Sequence, residues 1–434
     1  MSHMKSLVAA CLASIALAPT SLAETTAITN AHILTMGPDG EIQNGTIVFD
    51  EDEIVSIGTN VRIPSDAKMI DAQGQTVMPG FIMTGTSLGI SNLPSYGSLD
   101  DSSTNNPYVT AAYDVKYALN PDDPQIVVAK SEGVTGALVT PDLWTGSAAD
   151  PRMFAGTSAS VALAEDENMI LRTSAGIVMV AGTSGASKVG GGRPSVIALF
   201  RSALKEARAY TKSRKQELSR SAISLGLSPL DLEALARVAD RKEPLLVDVH
   251  NAADILNMID IAKAEGIDLV LLGASEGWTV ADQIAAANIP VIVDPEANVP
   301  GDLSSKYTTN ENAARLIAAG VKVGFKAVHG RPFWYIRSPR SVVGRLVGYT
   351  DLSYGDALIA LTIHGAEIAG IADQTGSLEK GKRADIVIWD GDPLEAMSHP
   401  TYVFINGIEQ NITTRGELLG KRYIEMARKD GVLH

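Results

Sequence analysis

Strand–helix units repeat through the middle of this chain, and short β-segments lie at both of its ends. These two observations predict an α/β protein: a (β/α)8 TIM-like barrel plus a small β-sandwich domain built from both chain ends. The predicted divisions are a signal peptide over 1–23, the small domain over 24–76 and 376–434, where it ends in a helix, and the barrel over 77–375.

The composition narrows the class of protein before any motif is considered. The 434 residues are 45% hydrophobic, which is ample for a large core. Lys and Arg number 36 against 50 Asp and Glu, a net charge of −14 with no basic run, so we do not expect a nucleic-acid partner. The single cysteine excludes a disulfide framework.

The first segment has the pattern of an export signal. Lys5 precedes an apolar run over 7–18, and Ser21-Leu22-Ala23 fits a cleavage site after Ala23. The run is too short to span a membrane, and no later apolar run is long enough, so we expect a periplasmic or secreted protein without a membrane span. Processing as a lipoprotein at Cys11 is the alternative, because residues 8–11 (VAAC) resemble a lipobox.

Short apolar stretches separated by turn-forming residues predict strands near the N-terminus. They lie at 27–36, 45–49, 54–57 and 69–70. Residues 91–122 lack periodicity and predict a long loop that covers a site or contacts a partner. Further along, a helix at 124–132, a strand at 134–139, short apolar runs over 153–180 and a long helix at 194–215 are expected, and Ser228 is the predicted cap of a helix that runs to 239.

Four strand–helix units follow one another in the second half of the chain. Their strands are continuous apolar runs, as expected for parallel strands that are buried on both faces. The predicted strands are 244–249, 268–273, 290–293 and 321–327, and the helices are 252–264, 280–287, 310–319 and those that extend to 369. Strands at 384–389 and 402–406 and a helix at 415–427 complete the chain.

Three segments resemble the amidohydrolase superfamily, especially its imidazolonepropionase-like branch. Residues 71–82 (DAQGQTVMPGFI) resemble the approach to the first barrel strand, residues 376–390 (GSLEKGKRADIVIWD) look like the return into the small β domain, and residues 403–407 (VFING) are similar to its closing strand. The resemblance implies hydrolysis of C–N bonds by one or two divalent metals at the C-terminal mouth of the barrel.

The metal ligands that the resemblance implies are not matched in this chain. The family's His-x-His pair falls on Gly85-Thr86-Ser87. The histidines that end the family's fifth and sixth barrel strands (strands 5 and 6 of the barrel) fall on Asp248 and Leu272. The strand 8 aspartate falls near Ala327 or Val328, where there is no carboxylate, although the alignment of this strand is not fixed. Glycine and leucine have no donor atom, and catalytic zinc normally needs three protein ligands.

Three residues are left as candidates for chemistry at the mouth: Asp248, His250 and His329. Asp248 and His250 are spaced by two and share one face of a strand, which fits either a shifted metal site, an acid–base pair, or polar groups that bond to their neighbours. His329 follows strand 8 and is also open to interpretation as an ordinary loop histidine.

Three further residues are candidates for the lining of the mouth. Asp294 ends a strand and is equally suited to capping the next turn, while Arg331 and Trp334 belong to a cluster that could bind an anionic ligand or a partner. A search for Gly-x-Ser-x-Gly finds no serine for which the sequence offers a histidine partner.

These patterns lead to three hypotheses. The first is an exported, catalytically weak or inactive protein with a degenerate metal centre that binds a small ligand or pairs with an active paralogue, in a homo-oligomer or a hetero-oligomer. The second is a divergent hydrolase of amide, cyclic amide or dipeptide C–N bonds. The third is a structural subunit. No cofactor is expected, except zinc if the metal site is retained in shifted form; the sequence leaves open whether the chain is an enzyme and names no substrate.

Overall fold

The computed structural model describes residues 25–91, 100–142, 153–164, 169–212, 227–297, 299–300, 305–326 and 339–429. The predicted signal peptide, with Cys11, and the candidates His329, Arg331 and Trp334 lie outside these ranges. Within the described ranges, no helix has both the length and the apolar character needed to cross a bilayer.

The N-terminal part of the chain forms five strands. They are β1 (Thr26–Leu34), β2 (Glu41–Asp50), β3 (Glu53–Gly58), β4 (Lys68–Asp71) and β5 (Thr76–Pro79). β1 pairs antiparallel with β2 but parallel with β4 and β5, and β2 continues antiparallel to β3. Strand-forming stretches between turns were predicted here, and the structure has them.

Eight further strands form a second sheet in the order of the chain. They are β6 (Phe81–Thr86), β7 (Val134–Val139), β8 (Phe154–Ala162), β9 (Ile170–Val180), β10 (Leu245–Val249), β11 (Leu269–Gly273), β12 (Val291–Val293) and β13 (Val323–Phe325). A parallel bridge between Thr84 and Lys326, with Thr84 Oγ1 donating to the carbonyl of Phe325 at 2.8 Å, joins the last strand to the first. The sheet is therefore a nearly closed barrel.

The barrel departs from eight uniform strand–helix units at one strand. β8 runs antiparallel to both β7 and β9. The physical reason is the connection: only residues 163–169 link these two strands, whereas a parallel crossover needs a dozen residues or more. The sequence of residues 153–180 did not predict the direction of β8. Every residue of this strand is buried, so apolar and polar residues do not alternate along it.

Strands from the C-terminal end complete the first sheet. They are β14 (Ile386–Trp389), β15 (Pro400–Ile405) and β16 (Ile408–Glu409). β14 pairs antiparallel with β5, so that Val387 lies opposite Met78, and this pairing joins the two ends of the chain in one eight-stranded sheet. The sheet has its own apolar core, in which Ile28, Phe49 and Phe404 are almost fully buried.

Eleven helices within the described residues accompany the two sheets. They are α1 (Pro124–Ser131), α2 (Gly182–Lys188), α3 (Arg193–Lys212), α4 (Pro229–Ala239), α5 (Ala252–Glu265), α6 (Ala281–Ala286), α7 (Asn312–Ala318), α8 (Pro339–Tyr349), α9 (Tyr354–Leu361), α10 (Ile363–Ala369) and α11 (Arg415–Lys429). The cap predicted at Ser228 is present: its hydroxyl accepts from Asp231 N, and Asp231 returns a bond to Ser228 N.

Candidate active site

The candidate site lies at the end of the barrel where the parallel strands terminate. Asp248 is the fourth residue of β10, and His250 follows its last residue, so both side chains point to the same side of the sheet. Their side chains are 33% and 38% exposed, respectively. The structure therefore brings together, in a position open to solvent, the two residues that sequence reasoning had paired.

Both ring nitrogens of His250 are engaged. Nε2 lies 3.0 Å from Asp248 Oδ1, and Nδ1 lies 2.8 Å from the hydroxyl oxygen of Ser275. The three side chains thus form one hydrogen-bonded array, Ser275–His250–Asp248. Because a carboxylate only accepts, Nε2 carries a proton toward Asp248. In the neutral ring, Nδ1 is then the acceptor for the Ser275 hydroxyl.

The charges around His250 set its protonation. Burial lowers the pKa of His250, but the hydrogen bond and the negative charge of Asp248 raise it; Lys326 opposes that effect and Asp294 adds to it. The net result is a pKa above the ordinary histidine value. The array therefore contains a histidine that keeps its proton to a higher pH than an ordinary imidazole does.

Ser275 sits on a sharp turn that sequence reasoning overlooked. Residues 273–277 read GASEG, which is the Gly-x-Ser-x-Gly spacing, and they connect β11 to the 3-10 helix Gly277–Val280. The expectation that no such serine has a histidine partner was wrong, because the partner comes from the neighbouring strand β10, 25 residues earlier in the chain. The spacing itself was the signal that could have found it.

Two successive left-handed residues make this turn. Gly273 has φ +79° and Ala274 φ +41°, a conformation that costs energy for alanine. A Cβ on Gly273 would lie 2.4 Å from His250 Cε1, so only glycine leaves room for the imidazole. Leu272, the residue predicted to replace the strand 6 ligand, packs instead in the apolar interior of the barrel; Gly273 is the residue of β11 that meets His250.

The buried carboxylate of Glu276 fixes the turn next to Ser275. Its Oε2 accepts from Asn251 Nδ2 and from the backbone N of Ala252, both at 3.0 Å, and its Oε1 accepts from Tyr307 N at 3.1 Å. The backbone N of Glu276 also donates to the carbonyl of His250. These bonds join the turns that carry His250 and Ser275, and they account for a buried carboxylate that the sequence did not single out.

A lysine lies where the first histidine of the metal pair is expected. Lys326 follows β13, and its Cγ would be 3.4 Å from a Cβ placed on Gly85, whose φ of +68° itself favours glycine. Lys326 acts on the charge of His250, so its positive charge belongs to the same mouth. Its position directly after the apolar residues 323–325 of the predicted strand was the sequence signal that was missed.

The remaining predicted mouth residue has a structural task as well. Asp294 Oδ1 accepts from Glu296 N at 2.9 Å and so caps the turn that follows β12. Its negative charge also raises the pKa of His250. The cap that the sequence allowed for Asp294 is therefore present, and a role for Asp294 in ligand binding or catalysis stays a prediction.

The donor atoms in the described part of the mouth do not fit the metal centre that the fold implies. Gly85 and Leu272 have none, Ser87 is a poor ligand, and Asp248 and His250 bond to each other. No group of three or more His, Cys, Asp or Glu side chains among the described residues could hold a metal ion.

Comparisons with known sequences agree with this architecture. The sequence model of the amidohydrolase family matches residues 125–418. A 5'-deoxyadenosine deaminase from Methanosarcina acetivorans is 47% identical over 60 residues, 14% of this chain and 14% of that protein. Amidohydrolase tasK from Hapsidospora irregularis is 24% identical over 388 residues, 80% of this chain but 38% of that protein. The chain therefore spans well under half the length of these relatives.

Solved structures share the fold over most of the chain. An amidohydrolase from Thermotoga maritima superposes with a TM-score of 0.77 at 25% identity, over 88% of this chain and 99% of that one. A zinc-bound adenosine deaminase from Xanthomonas campestris has a TM-score of 0.53 at 14% identity, over 94% and 99% of the two chains, and shows the fold alone. Because the family model covers more than half of the sequence, the chain belongs to the amidohydrolase family.

Proposed function

We propose that this chain is a divergent hydrolase of C–N bonds in amides, cyclic amides or dipeptides, and that it works without the family's metal pair. The observation that carries the proposal is the position of His250, held between Asp248 and Ser275 at the barrel mouth. A histidine that is hydrogen-bonded to a carboxylate and partly open to solvent is suited to general base and general acid catalysis.

Lys326 has a defined part in this proposal. It brings a positive charge to the mouth beside Gly85, and a lysine can attract an anionic group or a developing oxyanion without any metal. We therefore expect the substrate to carry a carboxylate or another anionic group near the bond that is cleaved. No cofactor is needed for this chemistry.

The relatives support the reaction class. They are named as a deaminase, an amidohydrolase and, in Picrophilus torridus, an imidazolonepropionase that is 34% identical over 113 residues. The first two names denote hydrolysis at carbon–nitrogen bonds, and the third supports our placing of the chain in the imidazolonepropionase-like branch.

Metal content tests the metal-free part of the proposal. Tag-free protein is exchanged through zinc-supplemented and then zinc-free buffer, and its metal is measured by plasma mass spectrometry. We expect a stoichiometry near zero. Zinc retained near one per chain, and lost in Asp248→Ala or His250→Ala, would show instead that the site survives in shifted form with zinc as its cofactor.

A substrate screen tests the activity. Amides, cyclic amides and dipeptides with and without a free carboxylate are incubated with the protein and with His250→Ala, and products are detected by mass spectrometry. We expect hydrolysis of anionic members that falls about 100-fold or more without the imidazole. Lys68→Ala removes an exposed lysine from β4, in the sheet of the chain ends, and is the control for Lys326→Ala.

The loss of donor atoms at Gly85, Ser87 and Leu272 favours a second candidate function. In this case the chain is catalytically inactive and binds a small ligand, pairs with an active paralogue, or serves as a structural subunit. Inactivity toward the whole panel, together with co-purification of an amidohydrolase from the same periplasm, would favour it. We propose export by the N-terminal signal for either function, and we propose that the sheet built from both chain ends folds as a small β-sandwich.

A further inference from the structure

We propose that Ser275 is a nucleophile and that the reaction passes through a covalent acyl–serine intermediate; this inference rests on the hydrolase function proposed above. The reason is that both ring nitrogens of His250 are already hydrogen-bonded. Asp248 takes Nε2 and Ser275 takes Nδ1, so neither nitrogen is left for a water molecule. The proton that His250 can accept is therefore the one on Ser275 Oγ.

The turn that carries Ser275 is built to hold this geometry. It follows a buried strand, it has Gly-x-Ser-x-Gly spacing, and the residue before the serine is an alanine in the left-handed region. The Glu276 carboxylate ties the turn to the backbone of Ala252 and Tyr307. A serine that follows a strand in a Gly-x-Ser-x-Gly turn is the arrangement that other hydrolase folds use for a nucleophile. Here the left-handed residues precede the serine, and Ser275 itself is buried.

The proposed step balances in atoms and charge. Ser275 Oγ attacks the substrate carbonyl carbon, its proton moves to His250 Nδ1, and Asp248 stabilises the imidazolium through Nε2–H. The C–N bond then breaks, and the amine leaves with the proton from Nδ1. In the second half, water attacks the acyl–serine ester and gives a proton to His250 Nδ1. The ester C–O bond then breaks, His250 returns that proton to Ser275 Oγ, and the carboxylic acid product leaves.

A fluorophosphonate probe tests the nucleophile directly, with no need to know the substrate. We expect a phosphonylated peptide that contains Ser275 by mass spectrometry, formed about 100-fold or more slowly in His250→Ala. Ser187→Ala, which removes an exposed hydroxyl on α2, should label like the parent protein. No adduct at Ser275, or an adduct that forms equally fast in His250→Ala, would overturn the proposal when alkylation of Ser275→Cys gives the same answer.

A cysteine replacement covers the case in which the probe does not fit the mouth. In a Cys11→Ser background, Ser275→Cys places a thiol against His250. The imidazole should lower the pKa of the thiol and so speed its alkylation by iodoacetamide. We expect faster alkylation than in Ser187→Cys, and this advantage should vanish with His250→Ala. Equal rates in the three proteins, together with no probe adduct, reject the nucleophile.

The two proposals can fail separately. Hydrolysis of an amide that continues in Ser275→Ala, with no adduct at Ser275, would leave the hydrolase function standing and refute the acyl–serine step. Labelling of Ser275 that depends on His250, with no cleavage of any amide, cyclic amide or dipeptide, would support the nucleophile and refute the proposed substrate class.

Discussion

The charge state of His250 depends on three neighbouring side chains, which can be separated one residue at a time. Burial lowers the pKa of His250, Asp248 raises it by a hydrogen bond and by charge, Lys326 lowers it and Asp294 raises it, with a net increase. We predict that Asp248→Asn lowers the pKa of His250 and that Lys326→Met raises it further. Titration of the imidazole signals by NMR measures both, and a pKa that does not respond to Asp248→Asn would contradict the contact between His250 Nε2 and Asp248 Oδ1.

The same shift gives a pH dependence of stability. Because the folded-state pKa of His250 is raised above its ordinary value, protonation favours the folded protein. This contribution is complete below the unfolded-state pKa and is lost as the pH rises through the folded-state value. The free energy of unfolding of the parent and of His250→Ala is measured by urea unfolding at a series of pH values. The difference, parent minus variant, should fall as the pH rises; a difference that grows with pH would contradict the prediction.

At the scale of secondary-structure elements, the turn after β11 has little tolerance for side chains. We predict that Gly273→Ala destabilises the protein by about 1–3 kcal/mol, because its Cβ meets the His250 ring and its φ is +79°. Gly266→Ala is the matched control, since Gly266 has φ +65° with open space around its Cβ. Chemical unfolding measures both; equal losses would mean that contact with His250 adds nothing.

Hydrogen bonds of Glu276 hold together three loop segments at the mouth: its own turn, the turn at Asn251 and Ala252, and the segment that contains Tyr307. We predict that Glu276→Ala costs about 1–3 kcal/mol, because it leaves the part-buried backbone N–H groups of Ala252 and Tyr307 without their carboxylate acceptor. Hydrogen exchange should rise at these two amides in particular. Exposed Glu233→Ala, on α4, provides the comparison; a loss as small as that of Glu233→Ala would show that the segments are held by other contacts.

At the scale of the whole molecule, a buried arginine connects the barrel to the sheet of the chain ends. Arg340 on α8 is 2% exposed, pairs with Glu132 at 2.9 Å, donates to the carbonyl of Ser398 at 2.8 Å, and lies over the ring of Trp389. Trp389 in turn packs against Phe81 at the start of the barrel. These contacts join segments more than 200 residues apart.

We predict that Arg340→Ala destabilises the protein by about 3–5 kcal/mol, because it removes the donor to buried carbonyl groups and breaks the ion pair with Glu132. Lys68→Ala breaks an exposed pair with Glu409 and should cost about 0–1 kcal/mol. Thermal and chemical unfolding compare the two. Similar small losses would mean that the barrel and the sheet are held together by apolar contacts alone.

The sequence by itself determined the order of most elements and the family. Apolar runs between turns predicted the strands of both sheets, and in the barrel burial on both faces leaves a continuous apolar signal. The segments at 71–82 and 376–390 predicted that the chain ends meet. The spacing of Asp248 and His250 also placed them on one face, since side chains alternate along a strand.

Only the tertiary structure decided the direction of β8 and the membership of the site. The direction of a fully buried strand depends on its connections rather than on its own pattern. Ser275 reaches the mouth from the turn after β11, which pairs with β10, and Lys326 reaches it from the end of β13, which the closure of the barrel brings against β6 and Gly85. A pattern along one strand cannot show which side chain a neighbouring strand supplies, because that depends on the register between strands.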